Sequence, residues 1–312
     1  MPPIEEPHST RFRAYQLGDA GSSYSYFTRG HFTLVEARLT DDNRNSILQE
    51  MAVCGVDQID TLHISSWDQD HCSQTQLGEI LVDLKPSRIE YPGYAPSTEN
   101  GVNCLAAITT YKAKAVKIDP AYIAELSDAE SLAYQDIFYG PKIIYDDPND
   151  NSTMKLFRRG AFTVLSLGDV GHSDLSSRIR RAKVVKAEMD VLILPHHGAN
   201  NGFLSNNLLK HIKPTFAVCC ADHSNKFGHP KEEVRQLLSR RKIDLFTTKT
   251  GDVIVESFGK GHRQLRVTNL KAGSTEISSE KNYHSKRGGL FSRLNLDSLR
   301  NYRRGNKRNP QR

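Results

Sequence analysis

Ser66-Trp67-Asp68-Gln69-Asp70-His71 puts two carboxylates and an imidazole at the end of Ile59–Ile64, an apolar, β-branched run that reads as a buried strand. Beyond it, Leu77, Ile80, Leu81 and Leu84 recur at helical spacing after the candidate cap Ser73. A strand, a polar turn and a helix in this order leave the acidic turn in a cleft, with the positive helix end facing it.

The same arrangement recurs along the chain. Phe162–Leu167 ends in Gly168-Asp169, Val191–Leu194 in Pro195-His196-His197-Gly198, and Phe216–Cys220 leads to Phe227-Gly228-His229-Pro230. Phe32–Val35, Leu245–Thr248 and Val253–Val255 read as further strands, and Val234, Leu237 and Leu238 as a helix with Pro230 at its first position. The whole is an α/β protein. One strand-end Asp is ordinarily a cap, and one buried His an ordinary core residue. Several in one cleft repel or desolvate one another unless a cation compensates, so the joint pattern points to a metal.

The series SWDQDH, LGD, PHHG and FGHP resembles the metallo-β-lactamase-fold hydrolase domain of ComEC-type DNA-uptake competence proteins. Leu17-Gly18-Asp19-Ala20-Gly21, Tyr91-Pro92-Gly93 and Asn151-Ser152 resemble further pieces of that family, so the likeness spans residues 12–258. It implies an αββα sandwich with a metal site at one edge and phosphodiester hydrolysis, as a stand-alone relative without channel segments. Carried over, Asp70, His71 and His229 hold one metal, Asp169 bridges, and Asp68 and His197 serve a second. Ser66 stands where the family has a histidine, which weakens that second position. His63, three residues upstream, is expected to point away. The implied cofactor is one or two divalent ions, Zn²⁺ or, given three carboxylates, Mn²⁺. A bound cation makes hydroxide available at neutral pH and offsets phosphoryl charge. His196, beside the ligand His197, would orient the phosphate or protonate the leaving oxygen, and Lys226 is a further phosphate candidate.

Composition bounds these readings. A mean hydropathy of −0.54 over 312 residues leaves no apolar run able to span a bilayer, and the N-terminus lacks a signal-peptide core, so the expected location is the cytoplasm. Cys54, Cys72, Cys104, Cys219 and Cys220 show no CxxC spacing, which excludes a cysteine-ligated zinc and fits reduced thiols. The net charge of +6 is unevenly placed: residues 281–312 carry ten Lys/Arg against Asp297, while the rest sums to −3. The expected organisation is a hydrolase domain over 1–270 and a basic linker and tail over 271–312. That tail would be flexible or, at Leu290–Tyr302, a short amphipathic helix. The Pro-, Gly- and Tyr-rich stretch Lys85–Asp150, with YPGYAPSTENG as a loop and Ala121–Tyr134 as a helix, reads as an insertion.

A nuclease held to nucleic acid by its basic tail is the leading expectation. Alternatives are a hydrolase of small esters, lactams or cyclic nucleotides, marked by a closed pocket, and a degenerate, non-catalytic nucleic-acid-binding module. The last is suggested by Ser66 and by Glu36-Ala37 where relatives carry an Asp-Gly turn; metal content and turnover discriminate.

Overall fold

The computed structural model describes residues 9–125, 137–141, 143–182, 185–186 and 189–286. Fifteen strands form two sheets among these residues. They are β1 (Thr10–Ala14), β2 (Tyr24–Thr28), β3 (His31–Val35), β4 (Thr61–His63), β5 (Arg88–Pro92), β6 (Lys114–Ile118), β7 (Ile137–Tyr139) and β8 (Met154–Phe157). Then follow β9 (Val164–Ser166), β10 (Val191–Ile193), β11 (Phe216–Cys219), β12 (Asp244–Thr247), β13 (Val253–Phe258), β14 (Gln264–Leu270) and β15 (Ile277–His284). The first sheet runs β15-β14-β13-β1-β2-β3-β4-β5-β6, the second β12-β11-β10-β9-β8-β7.

Three apolar clusters show how the layers stack. Phe12, Tyr24, Tyr26, Val253 and Val255 of the first sheet meet Phe157, Val164, Val191, Phe216 and Val218 of the second, filling the space between them. The outer face of the first sheet buries Leu34, Leu62 and Ile89 under helices α1 (Asp41–Cys54), α2 (Gln74–Glu79) and α3 (Glu99–Thr110). After α3 comes α4 (Pro120–Glu125). The outer face of the second sheet buries Leu165, Leu192 and Ala217 under α5 (Ser173–Arg181), α6 (Asn206–Ile212) and α7 (Glu232–Arg240). Helix, sheet, sheet, helix is the expected αββα sandwich. Alternation makes it possible: β13 buries Val253, Val255 and Ser257 while the residues between them stay half-exposed.

Some elements depart from expectation. Lys85–Asp150 is no insertion over its first part: β5 and β6 continue the first sheet in parallel, and Ile89, Cys104 and Ile108 share a core with Leu62 and Leu77. Tyr91-Pro92 closes β5 and Glu99–Gly101 opens α3, so only the middle of YPGYAPSTENG is loop. The expected helix Ala121–Tyr134 is seen as α4, its remainder falling outside the described residues. The linker reading fails for 277–284, which pair with β14 as β15; a polar edge strand needs no apolar pattern to be recruited through its backbone. Leu290–Tyr302 lies outside the described residues. Pro230 sits before α7 rather than inside it, with Lys231 as N-cap. Helix α1 left little trace because among its apolar residues only Ile47 and Met51 are buried. It is set by Thr40, whose capping box with Asn43 satisfies end groups, and by Gly55 at φ 71°.

Candidate metal centre

Strands β9, β10, β11 and β12 are parallel, so the segments leaving their C-terminal ends meet at one edge of the sandwich. Asp169 follows β9, His196 and His197 follow β10, and His229 lies beyond β11. From the first sheet, the turn after β4 brings Asp70 and His71 across. One ligand atom each from Asp70, His71, Asp169 and His197 lies within 4.8 Å of every other. His71 Nε2 is 2.9 Å from Asp169 Oδ2, and His197 Nε2 is 3.2 Å from Asp70 Oδ2 and 3.6 Å from Asp169 Oδ2.

Both imidazoles are held through their other nitrogen. His197 Nδ1 donates to the Cys220 carbonyl at 2.9 Å, and His71 Nδ1 lies 3.2 Å from Glu36 Oε1. The Glu36 carboxylate is itself fixed by the Ser65 amide at 3.0 Å and the Ser65 hydroxyl at 2.6 Å. A carboxylate or carbonyl on Nδ1 sets the tautomer that leaves Nε2 free to bind a metal. His71 Nε2 is buried and, despite its nearness to Asp169, makes no hydrogen bond of proper geometry among the described residues. An orphaned ring nitrogen facing two carboxylates fits a divalent cation, and two imidazoles with two carboxylates are a donor set that Zn²⁺ or Mn²⁺ accepts.

The electrostatics agree. Burial alone would push His71 down, but Asp169, Glu36 and Asp70 outweigh it and hold the imidazole well above the ordinary histidine range. His197 is likewise raised by Asp169 and Asp70 against its burial. Burial opposes ionisation of Asp169, yet His71 and His197 bring it down to about 2. Asp70 is lowered against its burial, chiefly by His71 and His197. The carboxylate field that favours positive charge on these rings would equally favour a divalent cation, which binds neutral imidazoles and displaces their protons.

The backbone at this edge is unusual. His196 and His197 have φ 47° and 52°, consecutive left-handed conformations in residues with side chains, which cost of order 1–3 kcal/mol each and cluster at functional sites. Gly198 continues the turn at φ 83°, and a Cβ there would sit 2.5 Å from that of Pro230.

The remaining expected residues lie around this group. Asp68 and His229 are outside the four-residue cluster. Asp68 is raised by burial and by Asp70. His229 is pushed down to about 4 by burial and by His197 and His196, which places it beside these rings, 6.1 Å from His196 centre to centre. His196 is half-buried, its ring 6.4 Å from that of His197. Lys226 is exposed on the loop before His229, its Nζ 5.0 Å from the Phe227 ring centre; Phe227 stacks on His229 at 5.6 Å and remains 57% exposed. His63 faces away from the group, bound to Glu90 at 3.1 Å.

Ser66 is fully buried, and its hydroxyl meets the Tyr94 hydroxyl at 3.0 Å. Tyr94 also accepts the Trp67 amide at 3.1 Å, and Ser66 Oγ accepts that of Asp68 at 3.2 Å. A tyrosine therefore lies beside the position where the resembled family has an imidazole and this chain has Ser66. Arg38 was also missed: it clamps Asp19 at 2.6 Å, Ala20 O at 2.9 Å and Gln69 O at 3.1 Å, tying the first loop to the turn that bears Asp70. Glu36, Arg38 and Tyr94 carry no motif; only Glu36-Ala37 had stood out, as a departure.

No family model matches the chain. ComE operon protein 3 of Bacillus subtilis (strain 168) is 24% identical over 204 residues, 64% of this chain and 25% of the relative, so the chain spans about a quarter of that protein's length. The metallo-beta-lactamase fold protein YhfI from Bacillus subtilis is similar in structure at a TM-score of 0.50 and 12% identity, covering 80% of this chain and 99% of YhfI. Igni18, a metallo hydrolase from Ignicoccus hospitalis, has a TM-score of 0.49 at 13% identity, covering 81% of this chain and 99% of its own. No described helix is long and apolar enough to cross a membrane. The two sheets, their outer helices and the strand-end residues identify the architecture of this chain as the metallo-β-lactamase fold.

Proposed function

We propose that the protein is a metal-dependent hydrolase that cleaves phosphodiester bonds in nucleic acid. The observation that carries this reading is the closed group of Asp70, His71, Asp169 and His197, with both imidazoles anchored through Nδ1. Its likeness to ComE operon protein 3 supports nucleic acid as the substrate class, and the basic stretch 281–312 agrees with it.

Zn²⁺ or Mn²⁺ at this group would supply Lewis-acid activation of water and charge stabilisation on the phosphoryl oxygens. In this assignment Asp70, His71, Asp169 and His197 are its central ligands, with Asp68 and His229 as flanking ligands. Ser66, committed to Tyr94, is no ligand, which favours one tightly held ion over two. Glu36 and the Cys220 carbonyl keep the two imidazoles in their binding tautomers. His196, half-buried beside His197, donates a proton to the leaving oxygen. Phe227, exposed and stacked on His229, offers a face to a nucleobase, and Lys226 above it offers charge to a phosphate.

The test is elemental analysis of the purified chain joined to hydrolysis of bis(p-nitrophenyl) phosphate and of a panel of DNA and RNA strands. Metal-dependent turnover of both, abolished by chelation and by Asp169→Asn, is the expected result. Wild-type hydrolysis by Asp169→Asn at matched metal content would overturn the assignment.

A further inference from the structure

The parallel run β9 to β12 has a second edge, opposite the candidate metal centre, where the chain enters β10, β11 and β12 from the helices above. Each entry carries exposed positive side chains: Arg180 and Arg181 at the end of α5, Lys210 and Lys213 at the end of α6, and Arg240 and Lys242 at the end of α7. Neighbouring helices on a sheet lie about 10 Å apart, so the three pairs form a stripe across the outer layer.

Cations in a helix's last turn complement its dipole, which accounts for Arg180, Arg181, Lys210 and Arg240 without any partner. That explanation does not extend to Lys186, Lys213 and Lys242, exposed beyond the helical turns. Nor does it cover Lys286, whose amide binds Asp190 Oδ1 at 2.8 Å and whose ammonium reaches the Lys213 carbonyl. Burial lowers Lys286, with Asp190 opposing the shift and Lys213 adding to it. Among the described residues of the three entries, acidic compensation comes from Asp190 and Asp244 alone. Asp190 is buried beneath the edge, and Asp244 is engaged by Lys281 at 2.6 Å and Tyr283 at 2.7 Å.

Lys286 also marks where residues 287–312 begin, a segment with eight Lys/Arg against Asp297. The stripe itself, three pairs of exposed cations with Lys186 beside them, is larger than a small anion needs and has the charge spacing of a polymer. None of the large exposed apolar side chains among the described residues lies on these three entries, so the surface lacks what insertion into a lipid interface requires.

We infer that the edge formed by the entries to β10, β11 and β12 is a docking surface for the phosphate backbone of a nucleic acid, remote from the cleavage site. The strands with their flanking residues separate the two edges by on the order of 15 Å. Docking there anchors the polymer without contributing to the reaction. This goes beyond the phosphodiesterase reading, and the two fail separately: hydrolysis of bis(p-nitrophenyl) phosphate reports that reading, and polymer affinity reports this one.

The experiment compares the full chain with Lys210→Gln/Lys213→Gln/Arg240→Gln/Lys242→Gln, using fluorescence anisotropy of a cleavage-resistant phosphorothioate 30-mer at several salt concentrations. Single-stranded DNA, duplex DNA and RNA form separate arms, and Lys112→Gln/Lys114→Gln/Lys117→Gln near the far sheet edge is the control. The expected result is at least a tenfold loss of affinity at low salt. The slope of log affinity against log salt should fall by about 3, with hydrolysis of the small phosphodiester and the control unchanged. Where the fourfold variant fails to fold, Lys210→Gln/Lys213→Gln should lose about half that slope. Unchanged affinity and slope, an equal loss in the control, no binding of any strand by the wild type, or tighter binding of polyglutamate than of nucleic acid would each overturn the inference.

Discussion

Glu36 Oε1 lies 3.2 Å from His71 Nδ1, in a carboxylate fixed by the amide and hydroxyl of Ser65. Glu36 is buried and holds φ at 68°, a strained conformation for a residue with a side chain. The strain and the buried charge are both explained if its task is to orient His71. Glu36→Gln should weaken metal affinity about 10- to 100-fold while leaving the fold intact, because a neutral amide with one acceptor oxygen cannot serve both the Ser65 amide and Nδ1–H and no longer raises the basicity of the ring. Competition against a chromophoric chelator measures this, and wild-type affinity in the variant would refute it.

Ser66 and Tyr94 predict the metal stoichiometry. Wild type should retain about one tightly bound ion per chain after dialysis, since a neutral hydroxyl committed to tyrosine is a poor ligand. Ser66→His alone should not change that number, because the Tyr94 hydroxyl 3.0 Å away obstructs an imidazole. Ser66→His/Tyr94→Ala should raise it toward about two. Two tightly held ions in the wild type, found by elemental analysis, would contradict this account.

Gly21 has φ 124°, and a Cβ there would lie 2.2 Å from the Asp70 carbonyl oxygen. Gly21→Ala must therefore push the Asp70 turn outward, losing more than about 1 kcal/mol of stability and metal affinity with it. Gly30, at φ 72° with open space around it, is the control: its alanine variant bears backbone strain only and should bind metal normally. Equal metal affinity in the two variants would remove the proposed steric link.

Asp190 is fully buried, accepting the Thr163 amide at 3.0 Å and the Lys286 amide at 2.8 Å. Burial raises it to about 6 despite those bonds. Its folded value thus exceeds the unfolded value of about 3.9, so the native state binds more protons between them and stability falls as pH rises through that window. Relative to Asp190→Asn, the wild type should lose about 2 kcal/mol between pH 4 and 7, and little more above it. Urea unfolding of both chains across this range is the measurement, and a pH-independent difference would exclude the effect.

Much of the architecture was legible because strands buried on both faces must be apolar and β-branched. Phe32–Val35, Val191–Leu194 and Phe216–Cys220 all announce themselves that way and all fall on strands. The ligand candidates were legible for a related reason: Asp70, His71, Asp169 and His197 each follow such a run, where backbone leaves the sheet and polar side chains escape burial. Edge strands obey no such rule. β15 is exposed along nearly its whole length and is held by backbone pairing to β14, so its composition reads as a linker.

Sequence alone determined which residue types stand at the strand ends, in what order, and that an imidazole is missing at Ser66. Only the tertiary structure decided which of them meet. Side chains about 130 positions apart, such as Asp70 and His197, come within 3.2 Å because two separate sheets bring their ends to one edge. Glu36, Arg38 and Tyr94 became visible only then, since a residue that orients a ligand is defined by whose hydrogen bond it accepts, donates or blocks. The basic stripe opposite the site has the same origin: its residues are scattered in the chain, and parallel strand order alone gathers them.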